Sequence, residues 1–223
     1  MINHERIIVA LDGMSATKAL RLAGKLSGHV WGFKVNDLLF DDPRIIKKLK
    51  KFGGVFADAK LHDIPNTVGN SVRRLSGLGA DIITVHTSGG IEMMKAACLG
   101  ARSRRHAKRS ASRTKIIAVT VLTSQKLSAR KKVLDLARDA VAAGVDGIVC
   151  SGHELSAVKK IKGIGERLII VPGVRPLWYA KKDDQRRTMT PDKALSLGAD
   201  HIVIGRPITE AKDPLIAVRS LSS

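Results

Sequence analysis

Gly54-Val55-Phe56-Ala57-Asp58-Ala59-Lys60-Leu61-His62-Asp63-Ile64-Pro65-Asn66-Thr67 holds in fourteen residues the unit from which the chain is built. Its apolar start reads as a strand over 55–60, buried on both faces as in a parallel sheet. The charged residues Asp58, Lys60 and Asp63 crowd the strand's end, and a helix-like stretch over 66–79 follows. Charged side chains are rarely buried without partners. Strand side chains alternate with period 2, so Asp58 and Lys60 are expected on one face, an ammonium beside a carboxylate.

The same unit recurs along the sequence. Further strand signals fall at 6–11, 30–35, 81–86, 115–122, 147–151, 168–173 and 201–205. Helix-like stretches lie near 15–27, 42–52, 90–105, 129–144, 153–162, 191–198 and 208–220. In 129–144 the apolar stripe Val133, Leu134, Leu136, Ala137, Ala140 and Val141 repeats at helical spacing. Gly79, Gly144 and Gly198 punctuate the ends of their helices. Eight βα units in a chain of 223 residues predict an α/β fold, a (β/α)8 TIM barrel in a single domain over 1–223. A doubly wound sheet is the competing architecture, and the eightfold repeat favours the barrel.

Composition narrows the function classes. Aromatic residues make up only 3% of the chain, so the core is expected to rest on Ile, Leu, Val and Ala. The formal net charge of +19 suits attraction of anions such as phosphate esters or nucleic acid. Cys98 and Cys150 lack CxxC spacing, which argues against a zinc site or a disulfide framework. No signal peptide or membrane-length apolar run is visible, and the expectation is a soluble cytoplasmic protein.

Nearly every strand signal ends in polar or charged groups: Asp12, Lys34 with Asn36, Asp58 with Lys60, His86, Thr123 with Ser124, Ser151, Pro172-Gly173 with Arg175, and Gly205-Arg206. In a barrel these ends meet at one mouth, where catalytic residues gather. Gly205 lets a backbone approach an anion, and Arg206 offers a fork to phosphate oxygens ahead of a helix.

Asp58-x-Lys60-x-x-Asp63-Ile64-Pro65-Asn66-Thr67 resembles the signature of the orotidine 5′-phosphate decarboxylase family. The likeness extends through Leu11-Asp12, Lys34-Val35, Val85-His86 with Gly89-Gly90, Leu122-Thr123-Ser124, Val171-Pro172-Gly173-Val174-Arg175-Pro176, Asp184-Gln185-Arg186-Arg187 and Val203-Ile204-Gly205-Arg206-Pro207. The resemblance implies decarboxylation of orotidine 5′-monophosphate to uridine 5′-monophosphate, the last step of pyrimidine nucleotide synthesis. It implies neither metal nor organic cofactor, and a homodimer whose subunits share residues between sites.

By resemblance, Lys60 stabilises a carbanion at C6 of the pyrimidine and protonates it. Asp58 lies near the substrate carboxylate, or holds and aims the Lys60 ammonium. Asp63 reaches into the partner's site and completes an alternating line with Lys34, Asp58 and Lys60. Asp12 and Lys34 contact the ribose, with Thr67 from the other subunit. Thr123 and Ser124 read the pyrimidine edge, and Ser151 stands near the base pocket. Gln185 bridges phosphate and base from a segment over 174–190 expected to act as a lid, and Arg175 and Arg206 face the phosphate.

The stretch Leu177-Trp178-Tyr179-Ala180-Lys181-Lys182 departs from the small, polar residues expected there. His62 is expected to point away from Lys60, and His86 to support or touch the site. The basic run Arg102, Arg104, Arg105, Lys108, Arg109, Arg113 and Lys115 reads as a solvated surface, since nucleic-acid binders that stack on bases interleave aromatics. Two rivals carry their own signatures: a metal-dependent decarboxylase of a keto sugar phosphate, sensitive to EDTA, and a nucleic-acid-binding module on the same barrel.

Overall fold

Eight parallel strands close on themselves in chain order, each hydrogen-bonded to the next and β8 to β1. The computed structural model describes residues 2–102, 113–121, 130–179 and 189–222. The strands are β1 (Ile7–Ala10), β2 (Gly32–Val35), β3 (Gly54–Leu61), β4 (Ile82–His86), β5 (Lys115–Val119), β6 (Gly147–Val149), β7 (Leu168–Pro172) and β8 (His201–Ile204). The closed barrel is the one expected from the eightfold repeat, and the doubly wound sheet is ruled out.

Alternation along each strand builds two cores. Ile8, Phe56, Ile82, Ile117, Ile170 and Val203 point inward and plug the barrel's lower half. Their neighbours in sequence, such as Val9, Val55, Ile83, Ile116, Ile169 and Ile202, pack outward against the helices. Above the plug, Lys34 on β2 and Asp58 on β3 occupy inward positions, and both are buried. A parallel barrel thus explains why charged residues follow apolar ones inside a single run.

The helices are α1 (Ala16–Leu26), α2 (Leu38–Asp41), α3 (Ile45–Leu49), α4 (Pro65–Gly77), α5 (Gly90–Ala101), α6 (Arg130–Ala143), α7 (Leu155–Val158), α8 (Pro191–Ser196), α9 (Arg206–Thr209) and α10 (Pro214–Arg219). Caps set several boundaries. The Ser15 hydroxyl accepts from the Lys18 amide at 3.3 Å, and Thr190 does the same for Lys193 at 3.4 Å. Gly79 and Gly144 turn the chain after α4 and α6 with φ of +99° and +75°. Three expected helices are shortened or divided. The stretch 42–52 yields only α3, because Pro43 and the Asp42 carboxylate, which accepts from the Arg44 amide at 3.0 Å, hold a turn first. The stretch 208–220 splits where Asp213 caps α10 ahead of Pro214. The stretch 153–162 keeps helical form only over Leu155–Val158.

A repeated sequence device locks the barrel's lower rim. Asp81, Asp146 and Asp200 each precede an even-numbered strand, and each carboxylate accepts the amide of Val55, Ile116 or Ile169 at 2.8, 2.8 and 2.7 Å. These bonds satisfy amides at the start of the neighbouring odd-numbered strands. No helix among the described residues is long and apolar enough to cross a membrane.

Candidate active site

The upper end of β3 is irregular. Ala57 pairs with Ile83 and Leu61 with Val85, so β3 carries a bulge between these partners. Lys60 has φ +45°, the only positive value of a non-glycine among the described residues. Such a conformation costs of order 1–3 kcal/mol and persists only where its surroundings enforce it. Two side chains do so here. The Lys60 amide donates to Thr84 Oγ1 at 2.9 Å, and the Asp58 carbonyl accepts from Asn36 Nδ2 at 2.7 Å. Side chains of adjoining segments thus satisfy backbone groups that regular pairing would have served. Asp58 and Lys60 do meet as expected, but across a bulge rather than along a regular strand.

The charges form an alternating line inside the barrel mouth. Lys60 Nζ donates to Asp58 Oδ2 at 2.6 Å, and Lys34 Nζ stands 3.3 Å from the same oxygen. Lys34 also donates to both Asp12 oxygens, at 2.8 and 2.6 Å. Asp58 Oδ1 accepts from the Thr84 hydroxyl at 2.9 Å. Burial pushes the Asp58 carboxyl up, but Lys34, Lys60 and Thr84 outweigh it and hold it below the usual carboxylate range. Burial likewise pulls Lys34 down, and Asp58 and Asp12 together raise it above the ordinary lysine value. Lys60 is the more open of the two lysines, its side chain 32% exposed against 10% for Lys34.

This line forms one wall of a cavity of about 600 Å³ at the strands' C-terminal ends. Phe56, Val119, Val149, Ile170 and Val203 give it an apolar floor and far wall. Arg175, Gly205 and Arg206 form a second cationic end, with Arg206 opening α9. The arrangement suits an elongated ligand with an anionic tail and a polar head lying over apolar surface. A Cβ on Gly205 would meet Ala10 only at ordinary contact distance.

Several expected residues stand elsewhere. Asp63 and Thr67 are exposed and absent from the cavity lining. The Asp63 carboxylate accepts from its neighbour's amide, Ile64, at 2.6 Å, so within one chain the charged line runs from Asp12 to Lys60 and omits Asp63. Ser151 is buried, but its hydroxyl accepts from the His153 amide at 3.3 Å, and Cys150 lines the cavity instead. Burial pushes the Cys150 thiol up to about 12, so it is a neutral wall group. Thr123, Ser124 and Gln185 lie outside the described residues, as do Arg104, Arg105, Lys108 and Arg109 of the basic run. Arg113 of that run pairs with Asp146.

His62 is exposed, and its ring lies 5.9 Å from that of His86. Burial, then His62 and Lys60, lower the His86 pKa, and neither histidine lines the cavity. Sequence reasoning missed Thr84. A threonine in Ile82-Ile83-Thr84-Val85 is ordinary strand composition, and its only signal was an inward register beside Asp58. Among the described residues no group of three or more His, Cys, Asp or Glu side chains is placed to hold a metal ion.

Comparison with known proteins gives a consistent answer. The family model described as "Orotidine 5'-phosphate decarboxylase / HUMPS family" matches residues 5–221. A protein of Anaeromyxobacter sp. (strain K) named orotidine 5′-phosphate decarboxylase is 42% identical, over 98% of this chain and 97% of its own. One of the same name from Lactococcus lactis subsp. cremoris (strain SK11) is 44% identical, over 80% of this chain and 79% of its own. The crystal structure of orotidine 5′-phosphate decarboxylase from Lactobacillus acidophilus superposes with a TM-score of 0.79 at 34% identity, covering 97% of this chain and 96% of that one.

Proposed function

The chain belongs to the orotidine 5′-phosphate decarboxylase / HUMPS family, and from that premise we propose that it converts orotidine 5′-monophosphate to uridine 5′-monophosphate and CO2 in pyrimidine synthesis. The observation that carries this reading is the alternating line Asp12, Lys34, Asp58 and Lys60, buried at Lys34 and Asp58 and facing an apolar floor and a cationic far end.

The reaction breaks the bond between C6 and the carboxylate. The electron pair stays on C6 in an in-plane orbital that the ring's π system cannot delocalise. A fixed cation beside that atom stabilises the pair, more strongly where water is excluded. Lys60 supplies the cation and then its proton to C6, leaving a neutral amine that solvent reprotonates. Asp58 is anchored by Lys34 and Thr84, so it holds the Lys60 amine in one place. Its carboxylate also faces the departing carboxylate, and loss of CO2 relieves that repulsion.

The remaining roles follow the cavity's polarity. Asp12 and Lys34 suit the ribose hydroxyls, one accepting and one donating. Arg206 and Arg175 suit the phosphate, with Gly205 allowing close approach. Gln185, Thr123 and Ser124 are assigned to phosphate and base by resemblance alone. The segment over 174–190 acts as the lid. Its two ends are pinned together, as Val174 bridges Met189 and the Arg175 amide donates to the Met189 carbonyl at 2.9 Å. Phosphate binding, remote from C6, then contributes to closure and to turnover. No metal or organic cofactor takes part. Asp63 and Thr67 enter from a second copy in a homodimer, which accounts for their exposure outside their own cavity.

Purified protein added to orotidine monophosphate with EDTA present should abolish the orotate absorbance. The chelator separates this activity from that of a metal-dependent sugar-phosphate decarboxylase, and an unchanged spectrum overturns the assignment. For the shared site, Lys60→Ala and Asp63→Ala proteins should each be inactive. Their mixture should recover roughly a quarter of wild-type activity, from statistical exchange across an isologous interface. No recovery in proven heterodimers refutes the sharing.

A further inference from the structure

The Lys34 ammonium spans the carboxylates of Asp12, after β1, and Asp58, on β3. The next polar residues along the chain, Asn36 and Asp37, span the same two segments at the level of the backbone. Asn36 Nδ2 donates to the Asp58 carbonyl at 2.7 Å, on the irregular part of β3 that carries Lys60. The Asp37 carboxylate accepts from the Gly13 amide at 2.9 Å, one residue beyond Asp12. Asp12, Gly13, Asp58 and Lys60 all line the cavity. Asn36 is half-buried and Asp37 exposed, and neither lines it. One turn ahead of α2 thus grips the Asp12 loop with one side chain and the Lys60 strand with the other.

We propose that Asn36 and Asp37 are positioning residues, Asn36 acting through Lys60 and Asp37 through Asp12, and that their shared turn sets the distance between the ribose contacts and the amine. The argument rests on the nucleotide reading above. A ligand held at its ribose presents C6 to Lys60 only if the two segments keep a fixed separation, and a misplacement of about 1 Å can cost about 100-fold in rate. The ion pairs of Lys34 attract without fixing direction, since an ammonium is a point charge with rotatable donors. Bonds to a backbone carbonyl and a backbone amide have preferred directions and hold the chain itself. The Asp37 bond is also charge-assisted, a carboxylate accepting from an amide. It orders the Asp12 loop before a ligand arrives, which lowers the ordering cost of binding.

The test reads the two sides separately. Calorimetric binding of uridine 5′-monophosphate reports the ribose side, and kcat at saturating orotidine monophosphate reports the amine side. Asp37→Ala should weaken the nucleotide roughly fivefold, the scale of one hydrogen bond, and change kcat by less than about twofold. Asn36→Ala should lower kcat roughly tenfold and leave nucleotide affinity within about twofold. Asn36→Ser, whose hydroxyl is too short to reach the carbonyl, takes its place if Asn36→Ala does not fold. Asp37→Asn keeps an acceptor oxygen without the charge and should bind within about twofold of wild type. In an Asp12→Ala background, Asp37→Ala should weaken the nucleotide no further. Wild-type affinity in Asp37→Ala, or wild-type kcat in the Asn36 variant, overturns the proposal. So does full additivity with Asp12→Ala, or an Asp37→Asn protein as weak as Asp37→Ala, which would mark a long-range charge effect. Equal loss of both readouts in either variant marks a turn that only holds the fold, and overturns it too. A wild-type protein that neither binds the nucleotide nor decarboxylates the substrate refutes the underlying function instead.

Discussion

Asp58 meets three demands at one carboxylate. One oxygen is shared by Lys34 and Lys60, and the other accepts from Thr84. Losing any of these partners leaves buried charge poorly compensated. Thr84 has a second task, since its hydroxyl also accepts the Lys60 amide on the strained turn of β3. Thr84→Val keeps shape and removes both bonds. We expect it to cost about 1–3 kcal/mol in chemical denaturation, the desolvation penalty of unsatisfied buried groups. It should also lower kcat/KM some tenfold to hundredfold, because the amine is no longer held in place. Thr84→Ser should restore most of both. Wild-type stability and rate in Thr84→Val would show that the bulge needs no such support.

The strands show which elements a sequence declares. Runs such as Ile7-Ile8-Val9-Ala10 and Leu168-Ile169-Ile170-Val171 are apolar on both faces, and only a strand covered on both sides produces that pattern. Charged residues at the ends of such runs stand out, which made Lys34, Asp58 and Lys60 legible. The bulge at Lys60 was not, because it depends on the register of β4, a long-range property. Short outer helices were also poorly marked, since Pro43 and Pro214 interrupt apolar patterns that otherwise continue. Gly32 shows a further hidden constraint. It faces inward on β2 opposite Gly54, and a methyl group there would run into the Gly54 carbonyl. Gly32→Ala must push β2 away from β3 and carry Lys34 with it. We expect a loss of about 3 kcal/mol in a urea melt, at the upper end for overpacking. An unchanged midpoint would mean that the barrel yields freely at this seam.

At the scale of the whole molecule, pH reads out the buried groups. Burial lowers the pKa of His86 and of His201, whose ring sits 5.2 Å from Trp31 at the opposite end of the barrel. Below the ordinary histidine value of about 6.5, the unfolded chain takes up protons that the folded chain resists. Stability therefore falls as pH drops below that value. Asp58, with its lowered pKa, contributes stability that is present above about pH 3.9 and lost as pH falls through its folded value. Lys34, with its raised pKa, contributes stability that is present below about pH 10.4 and lost as pH rises through its folded value. Tm should decline between pH 7 and 5, ahead of the carboxylates, and His201→Phe should flatten that slope. A Tm that is level or rising toward pH 5 contradicts this assignment. The strong positive charge adds a rate effect: capture of an anionic nucleotide should slow as salt screens the field.

The central claim is that one amine, fixed by Asp58 over an apolar floor, both stabilises and protonates the carbanion. Its most direct test is turnover of orotidine monophosphate by Lys60→Ala, measured beside its affinity for uridine 5′-monophosphate. The account predicts a fall in kcat of at least about 10⁴-fold, combining charge stabilisation with proton transfer, while the product still binds. Decarboxylation by Lys60→Ala at the wild-type rate would contradict it.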